Sequence, residues 1–180
     1  MIDEAAFIDE LLNPKTQNVG FQKLLSLYKK PLYNHIRNIV LNHDDANDVL
    51  QNTFIKVYQN LGNFKRESKL FSWIYRIATN ESITFINNRA KRNGQTSEVF
   101  QQKQIDNLQA DVYFEGDEIQ LKLQKAIHQL PEKQQLVFKM KYFEELKYEE
   151  ISKILGTSVG ALKASYFHAV KKIEEFVVKN

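Results

Sequence analysis

Apolar residues recur every three or four positions along most of this chain, a period that predicts α-helices rather than strands. The pattern predicts four helices in the first 92 residues, over residues 3–12, about 21–42, 44 or 45 to about 62, and about 68–92. Pro31 marks a kink or a junction in the second of these, because proline removes a backbone donor. Asn93 and Gly94 then end the helical pattern.

The second half of the chain begins with a polar stretch. Residues 95–116 are rich in Gln, Asn, Asp and Ser, and their weak periodicity predicts a linker with room for one helical turn. The helical pattern returns at Asp117, breaks at Leu130-Pro131 and resumes over Glu132 to Phe143. We therefore expect an all-α fold of two small helical domains joined by an acidic flexible linker, with boundaries at 1–93, 94–117 and 118–180.

Residues 146–163 predict two short helices separated by Gly156, Thr157 and Ser158. Gly156 can adopt the positive φ that ends the first helix, and the Ser158 hydroxyl can cap the second. The second helix should continue to about Lys172. This is the outline of a helix-turn-helix, whose second helix usually enters the major groove of DNA.

The second helix of this motif has two distinct sides. At about 100° per residue, one side should be buried: Val159, Leu162, Tyr166, Ala169 and Ile173. The opposite side combines small residues with an unshielded aromatic ring: Gly160, Ala164, Phe167, His168 and Lys171. Small residues allow close approach, and Phe167 could contact thymine methyl groups. The alternative is that Phe167 packs on a neighbouring domain.

The predicted third helix also has an outer side that is not simply charged. Opposite its core positions lie an acid, three amides and an isoleucine: Asp48, Gln51, Asn52, Ile55 and Gln59. Such a mixture suits a protein-docking face. A solvated helix with one stray apolar residue explains it equally well, so the pattern alone leaves both interpretations open.

Residues 63–80 interleave cations, aromatics and amides across a loop and the start of the fourth helix. That mixture suits single-stranded nucleic acid, because cations follow phosphates and aromatic rings stack on bases. The competing interpretation is that the apolar members are core residues at helical spacing: Phe71, Ile74, Tyr75 and Ile77. We favour core for Phe71, Ile74 and Ile77. Phe64 and Asn80 are the least expected in a purely structural role.

Charge and composition narrow the function classes. The net charge of the chain is +3, but the charges are unevenly placed. Residues 63–92 carry a net charge of +5 and residues 95–118 a net charge of −5, so the local charge divides the chain more clearly than its total charge does. The absence of cysteine excludes disulfides and thiolate zinc sites, and the four histidines are too scattered to form a ligand pair. No phosphate-binding loop or hydrolase motif occurs, so neither catalysis nor a cofactor is indicated. Without a long apolar run or a signal peptide, the chain is expected in the cytoplasm.

These pieces, in this order, resemble a bacterial RNA polymerase sigma factor of the small, extracytoplasmic-function (ECF) type. The resemblance covers residues 20–92 and 120–176. Residues 45–54 are similar to the family's core-binding motif, and residues 71–80 to its aromatic stretch with tryptophan, arginine and alanine. Residues 130–132, 148–151 and 158–163 match the start of the C-terminal domain, its helix-turn-helix and its recognition helix.

The resemblance implies a role for each surface. Core polymerase would be bound by Asp45, Asp48, Gln51, Asn52 and Ile55. The −10 promoter element would be opened, and a base held, by Asn63, Phe64, Lys65, Arg66, Ser68, Trp73, Arg76 and Asn80. The −35 element would be read by Lys147, Tyr148, Ser158, Gly160, Lys163, Ala164, Phe167, His168 and Lys171. The acidic linker would thread the RNA exit path.

The resemblance also implies partners: core RNA polymerase, promoter DNA and an anti-sigma factor, often membrane-anchored in this family, but no small-molecule substrate, catalytic residue or metal. Two features depart from the family pattern. Asn47 and Asn52 replace glutamates, and the recognition helix carries fewer cations than usual, which predicts fewer phosphate contacts.

Two other functions compete with this interpretation. One is a helix-turn-helix repressor or activator with a sensing N-terminal domain, which would need no −10 apparatus. The other is a nuclease using Asp44, Asp45 and Asp48 to bind a metal, although acids at a helix start favour the helix dipole without any metal.

Overall fold

The computed structural model describes residues 3–112, 114 and 116–179, and within them it contains nine α-helices and no strand. The helices are α1 Glu4–Leu12, α2 Gln17–Val40, α3 His43–Asn60, α4 Leu70–Arg92, α5 Ser97–Asp106, α6 Glu118–His128, α7 Glu132–Tyr142, α8 Tyr148–Leu155 and α9 Val159–Lys179. Two 3₁₀ turns follow α3 and α5, at Leu61–Asn63 and Leu108–Ala110. The predicted all-α class is confirmed.

Helices α1 to α4 form the N-terminal module. Their apolar stripes meet in one core, which contains Leu24, Ile36, Val49, Val57 and Ile74. Side-chain caps fix two of the helix starts: Asp3 accepts a hydrogen bond from the Ala5 amide, and Asn42 accepts one from the Asp45 amide. α2 continues through Pro31 as one helix, so Pro31 is not a junction between two helices.

Helices α6 to α9 form the C-terminal module around a second core of Ala126, Ile127, Phe138, Ala169 and Ile173. α8 and α9 are the two helices of the predicted helix-turn-helix. Gly156 ends α8 with φ +65°, and the Ser158 hydroxyl accepts a 3.3 Å hydrogen bond from the Ala161 amide. Both predicted roles are confirmed. α9 extends to Lys179, about two turns beyond the predicted end.

The segment between the modules is more ordered than its composition predicted. The expectation of a single helical turn is wrong, because α5 is a ten-residue helix capped by the Thr96 hydroxyl. The scattered apolar residues explain the difference: Phe100, Ile105 and Leu108 are all buried, and α5 packs against α4. Asp111 also forms a 2.6 Å ion pair with Arg37 of α2.

The two modules are in direct contact. α8 packs against α4, and α7 against the second half of α2. As a result, Leu136 and Met140 of α7 and Ile151 and Ile154 of α8 join the apolar cluster of the N-terminal module. The chain therefore adopts a closed arrangement in which one helix of the helix-turn-helix lies on α4.

Candidate functional site

The outer face of α3 is open to solvent. Asp48, Gln51, Asn52 and Ile55 are exposed, with Ile55 at 47%, whereas the opposite side of the helix is buried. A cleft of about 350 Å³ continues this face onto α4, where Arg89 and Arg92 line it. The face therefore combines an acid, amides and an apolar side chain beside a cationic helix end. Such a surface can dock a protein that offers both polar and apolar groups.

Asp45 differs from the rest of this set because it is buried. Burial raises the pKa of its carboxyl above the ordinary value, and the neighbouring acids Asp48 and Asp44 act in the same direction, while Arg89 acts against them. Asp45 thus belongs to the packed start of α3 rather than to the open face.

An apolar groove adjoins the outer face of α3, and its aromatic members were not predicted as site residues. It has a volume of about 520 Å³ and is lined by Phe21, Leu25, Phe54, Ile55 and Tyr58, among others. Tyr58 is exposed, and its ring lies 4.9 Å from that of Phe21. The signal for Tyr58 was its position three residues after Ile55, which places both on one side of the helix.

The loop before α4 holds the first part of the predicted −10 surface. Phe64, expected to have more than a structural role, is only 6% exposed and packs on Trp73, with 5.1 Å between ring centroids. Arg66 adopts a left-handed conformation, with φ +57°, and pairs with Asp9 at 2.5 Å. Lys65 is exposed. The loop thus presents cations outward from an aromatic base.

On α4 the predicted residues separate into two groups. Ile74 is fully buried, and Phe71 and Ile77 are half-buried against the same core, which confirms the preference for core at these positions. Arg76 and Asn80, one turn apart, are exposed. Arg76 and Asn80 on α4, and Lys65 and Arg66 in the loop, are thus exposed members of the predicted −10 surface.

α9 has the two sides that its sequence predicted. Leu162, Ala169 and Ile173 are buried, and Val159 and Tyr166 are half-buried. The opposite residues Gly160, Ala164, Phe167, His168 and Lys171 are all exposed. Phe167 is 66% exposed, so it is not packed on the neighbouring module in this arrangement.

Lysines from three segments lie near the start of α8. Lys147 caps α8 together with Glu150, whose carboxylate accepts a 3.0 Å hydrogen bond from the Lys147 amide. The Lys141 and Lys163 ammonium groups lie 5.2 and 5.9 Å from the centroid of the Tyr148 ring. Tyr148 therefore holds two cations near the edge of the recognition helix.

Within the described ranges, no group of three His, Cys, Asp or Glu side chains is arranged to hold a metal ion, and Asp44, Asp45 and Asp48 do not form one. No helix within those ranges is both long and apolar enough to span a bilayer.

Fold and surfaces together define a class: a helical protein of two modules, with a helix-turn-helix in one and exposed cations beside aromatic residues in the other. Comparison with known proteins agrees. Residues 24–92 match the family model "Sigma-70 region 2", and residues 120–173 match "Sigma-70, region 4".

Two relatives show the same similarity over most of the chain. The RNA polymerase sigma-H factor of Pseudomonas aeruginosa is 30% identical over 166 residues, covering 87% of this chain and 85% of the relative. The ECF RNA polymerase sigma factor SigW of Bacillus subtilis is 30% identical over 152 residues, covering 80% and 81%. The chain belongs to the sigma-70 family, in its ECF group, and it directs promoter-specific initiation of transcription.

Solved structures share the fold. CnrH, solved in complex with the cytosolic domain of CnrY, has a TM-score of 0.72 at 17% identity over 98% of both chains. RpoE of Bartonella quintana, solved with the anti-sigma factor NepR, has a TM-score of 0.65 at 19% identity, covering 87% of this chain and 96% of that one. Membership of the family favours a sigma factor over the stand-alone regulator and the nuclease considered above.

Proposed function

We propose that the outer face of α3 is the surface on which this sigma factor docks on core RNA polymerase. Asp48, Gln51, Asn52 and Ile55 carry the contact. The observation that supports it best is that this acid, these amides and an apolar side chain are all open to solvent on a helix whose other side is buried. Asp45 acts indirectly, by packing the start of α3.

The N-terminal module, residues 1–93, binds the −10 element in this proposal. Lys65, Arg66 and Arg76 contact phosphates, while Trp73 and Asn80 contact an extruded base. Phe64 supports Trp73 from beneath, in keeping with its burial and the 5.1 Å separation of the two rings. Asn63 and Ser68 flank the loop.

The C-terminal module, residues 118–180, reads the −35 element as duplex. Gly160, Ala164, Phe167 and His168 face the base edges, and their exposure on one side of α9 supports this role. Phosphate contacts are assigned to a flanking set of cations and polar groups: Lys147, Tyr148, Ser158, Lys163 and Lys171.

The protein has no catalytic step of its own in this proposal and acts in the cytoplasm as a specificity subunit. An anti-sigma factor is the proposed regulator. Two structures of similar fold are complexes of this kind, CnrH with the cytosolic domain of CnrY and RpoE with NepR.

A pull-down of core RNA polymerase by the purified protein tests the docking face. Asp48→Arg should abolish capture, because it places a cation where the exposed face offers an acid. Glu175→Arg on α9 is the matched control, since it makes the same charge change at an exposed position of the other module. Equal capture by Asp48→Arg and Glu175→Arg would refute the assignment of α3.

A further inference from the structure

The contact between the modules contains a buried polar clasp. His35 of α2 is fully buried, and its Nδ1 lies 2.9 Å from both carboxylate oxygens of Glu144, which comes from the loop between α7 and α8. Its Nε2 lies 2.8 Å from the Thr79 hydroxyl on α4, which itself donates to the Tyr75 carbonyl at 2.7 Å. Each ring nitrogen therefore has a polar partner, Glu144 for Nδ1 and Thr79 for Nε2. The ring thus joins three elements of two modules.

A second contact covers part of the predicted −10 surface. The Arg76 guanidinium of α4 donates two hydrogen bonds to the Lys153 carbonyl of α8. Lys69, just before α4, lies 3.9 Å from Glu150 of α8. α8 therefore occupies space beside Arg76 that DNA would need, while the outer faces of α3 and α9 stay open.

The closed arrangement is also too small for a promoter. Elements named for positions −35 and −10 differ by about 25 base pairs, which is roughly 85 Å of duplex at about 3.4 Å per base pair. A compact chain of this length has a radius of gyration of about 16 Å and a diameter near 40 Å. The 24 residues between the modules span about 80 Å when extended, so the linker can reach that far once α5 leaves α4 and unfolds.

The interface between the modules buries the side chain of a lysine. Lys139 of α7 is only 5% exposed and lies in a small cleft with Ile39 of α2 and Ile83 and Ile86 of α4. No carboxylate among residues 3–112, 114 and 116–179 pairs with it, and burial lowers its pKa to about 8. A buried cation without a partner weakens the contact that buries it.

From these observations we propose that the closed arrangement is an autoinhibited state of the free protein, held by the Glu144–His35–Thr79 clasp and the Arg76–Lys153 contact. The modules must separate before both promoter elements are bound. The existence of the clasp is independent of the proposed function, and only its inhibitory consequence rests on that function.

The distance between the modules tests the clasp directly. The chain has no cysteine, so spin labels can be attached only at introduced sites, such as Lys30→Cys on α2 and Glu175→Cys on α9, both exposed. Pulsed electron paramagnetic resonance should give one short, narrow distance for the labelled protein. Glu144→Lys should move at least half of the molecules to longer distances, because it replaces the carboxylate that contacts His35 with an ammonium group.

Glu145→Lys is the matched control, since it makes the same charge change at the exposed neighbouring residue and should keep the short distance. Circular dichroism checks that each variant keeps its helices. If Glu144→Lys fails to fold, Arg76→Ala serves instead, because Arg76 is exposed and its loss breaks only the contact with α8. A broad, long distance between the labels in the protein without further mutation would overturn the clasp. An unchanged short distance in folded Glu144→Lys, or in Arg76→Ala if that variant is used instead, would also overturn it.

Adding core polymerase tests the inhibitory role. The distance should lengthen in the complex with polymerase and promoter DNA. A short distance retained in that complex would overturn autoinhibition. Failure to form any complex, with the clasp behaviour as expected, would instead count against the proposed docking function.

Discussion

Replacing Lys139 by Met should stabilise the protein, which is unusual for a substitution at a buried position. Met has a similar length and fills the cleft between α7, α2 and α4 without bringing a charge into it. The magnitude follows from the pKa of Lys139, which burial lowers from its ordinary 10.5 to about 8. At 1.36 kcal/mol per pKa unit, the charged form costs the folded state about 3 kcal/mol at pH 7.

The gain should depend on pH in a defined direction. Because the pKa of Lys139 is depressed in the folded state, the wild-type protein gains stability as the pH rises from about 8 towards 10.5. The advantage of Lys139→Met should therefore fall from about 3 kcal/mol at pH 7 to roughly half of that at pH 9.5. The same cleft is lined by Glu132 of α7, and its other polar residues are neutral. No other lysine or tyrosine lines the cleft, so no second group of these types titrates there between pH 7 and 9.5.

His128 also responds to Lys139, since burial and the Lys139 charge both lower the pKa of its imidazole, opposed by Glu98 and Asp106. Its titration falls below pH 6.5 and outside this window.

Urea unfolding at both pH values measures the free energy of unfolding. Lys133→Met is the matched control, because Lys133 is exposed on the same helix, and its replacement should change stability by less than about 0.5 kcal/mol. Destabilisation by Lys139→Met at pH 7, or a gain that does not shrink at pH 9.5, would refute the argument from burial.

Three further outcomes are expected. Asn80→Ala should slow promoter opening, measured by permanganate reactivity of the −10 region, with core binding unchanged; normal opening would remove Asn80 from the base pocket. Phe167→Ala should weaken binding to −35 duplex by about tenfold with little change in melting temperature, since Phe167 is 66% exposed, and a large loss of stability would instead indicate packing. Gly156→Ala should lower the free energy of unfolding by about 1 kcal/mol, because φ is +65° there, and an unchanged urea midpoint would contradict this.

Local pattern was sufficient to predict most helices and the two sides of α3 and α9. The repeat of apolar residues places Val49 and Val57 in the core and leaves Gln51 and Ile55 outside, and the structure agrees. Phe64 was harder, because an aromatic in a cationic loop has the same appearance whether it stacks on a base or supports Trp73. Only the tertiary contact distinguishes the two.

The contact between the modules could not be predicted from periodicity. Glu144 and His35 are 109 residues apart, and nothing local links an acid after α7 to a histidine on α2. The polar linker was misjudged for the same reason: Phe100 and Ile105 have weak periodicity alone and are buried only because α4 and the end of α2 are present.

The burial of Lys139 and the clasp at His35 act on the same equilibrium in opposite directions. Ile39, Ile83 and Ile86 of the N-terminal module line the cleft that holds Lys139, so separating the modules returns its ammonium to water. A cost of about 3 kcal/mol corresponds to roughly a 150-fold smaller ratio of closed to open molecules. With an apolar residue at position 139, the ratio of closed to open molecules would be larger by that factor, and polymerase would have to supply more binding free energy to open the protein. A charged residue keeps this ratio within the range that the differential affinity of a docking partner can shift.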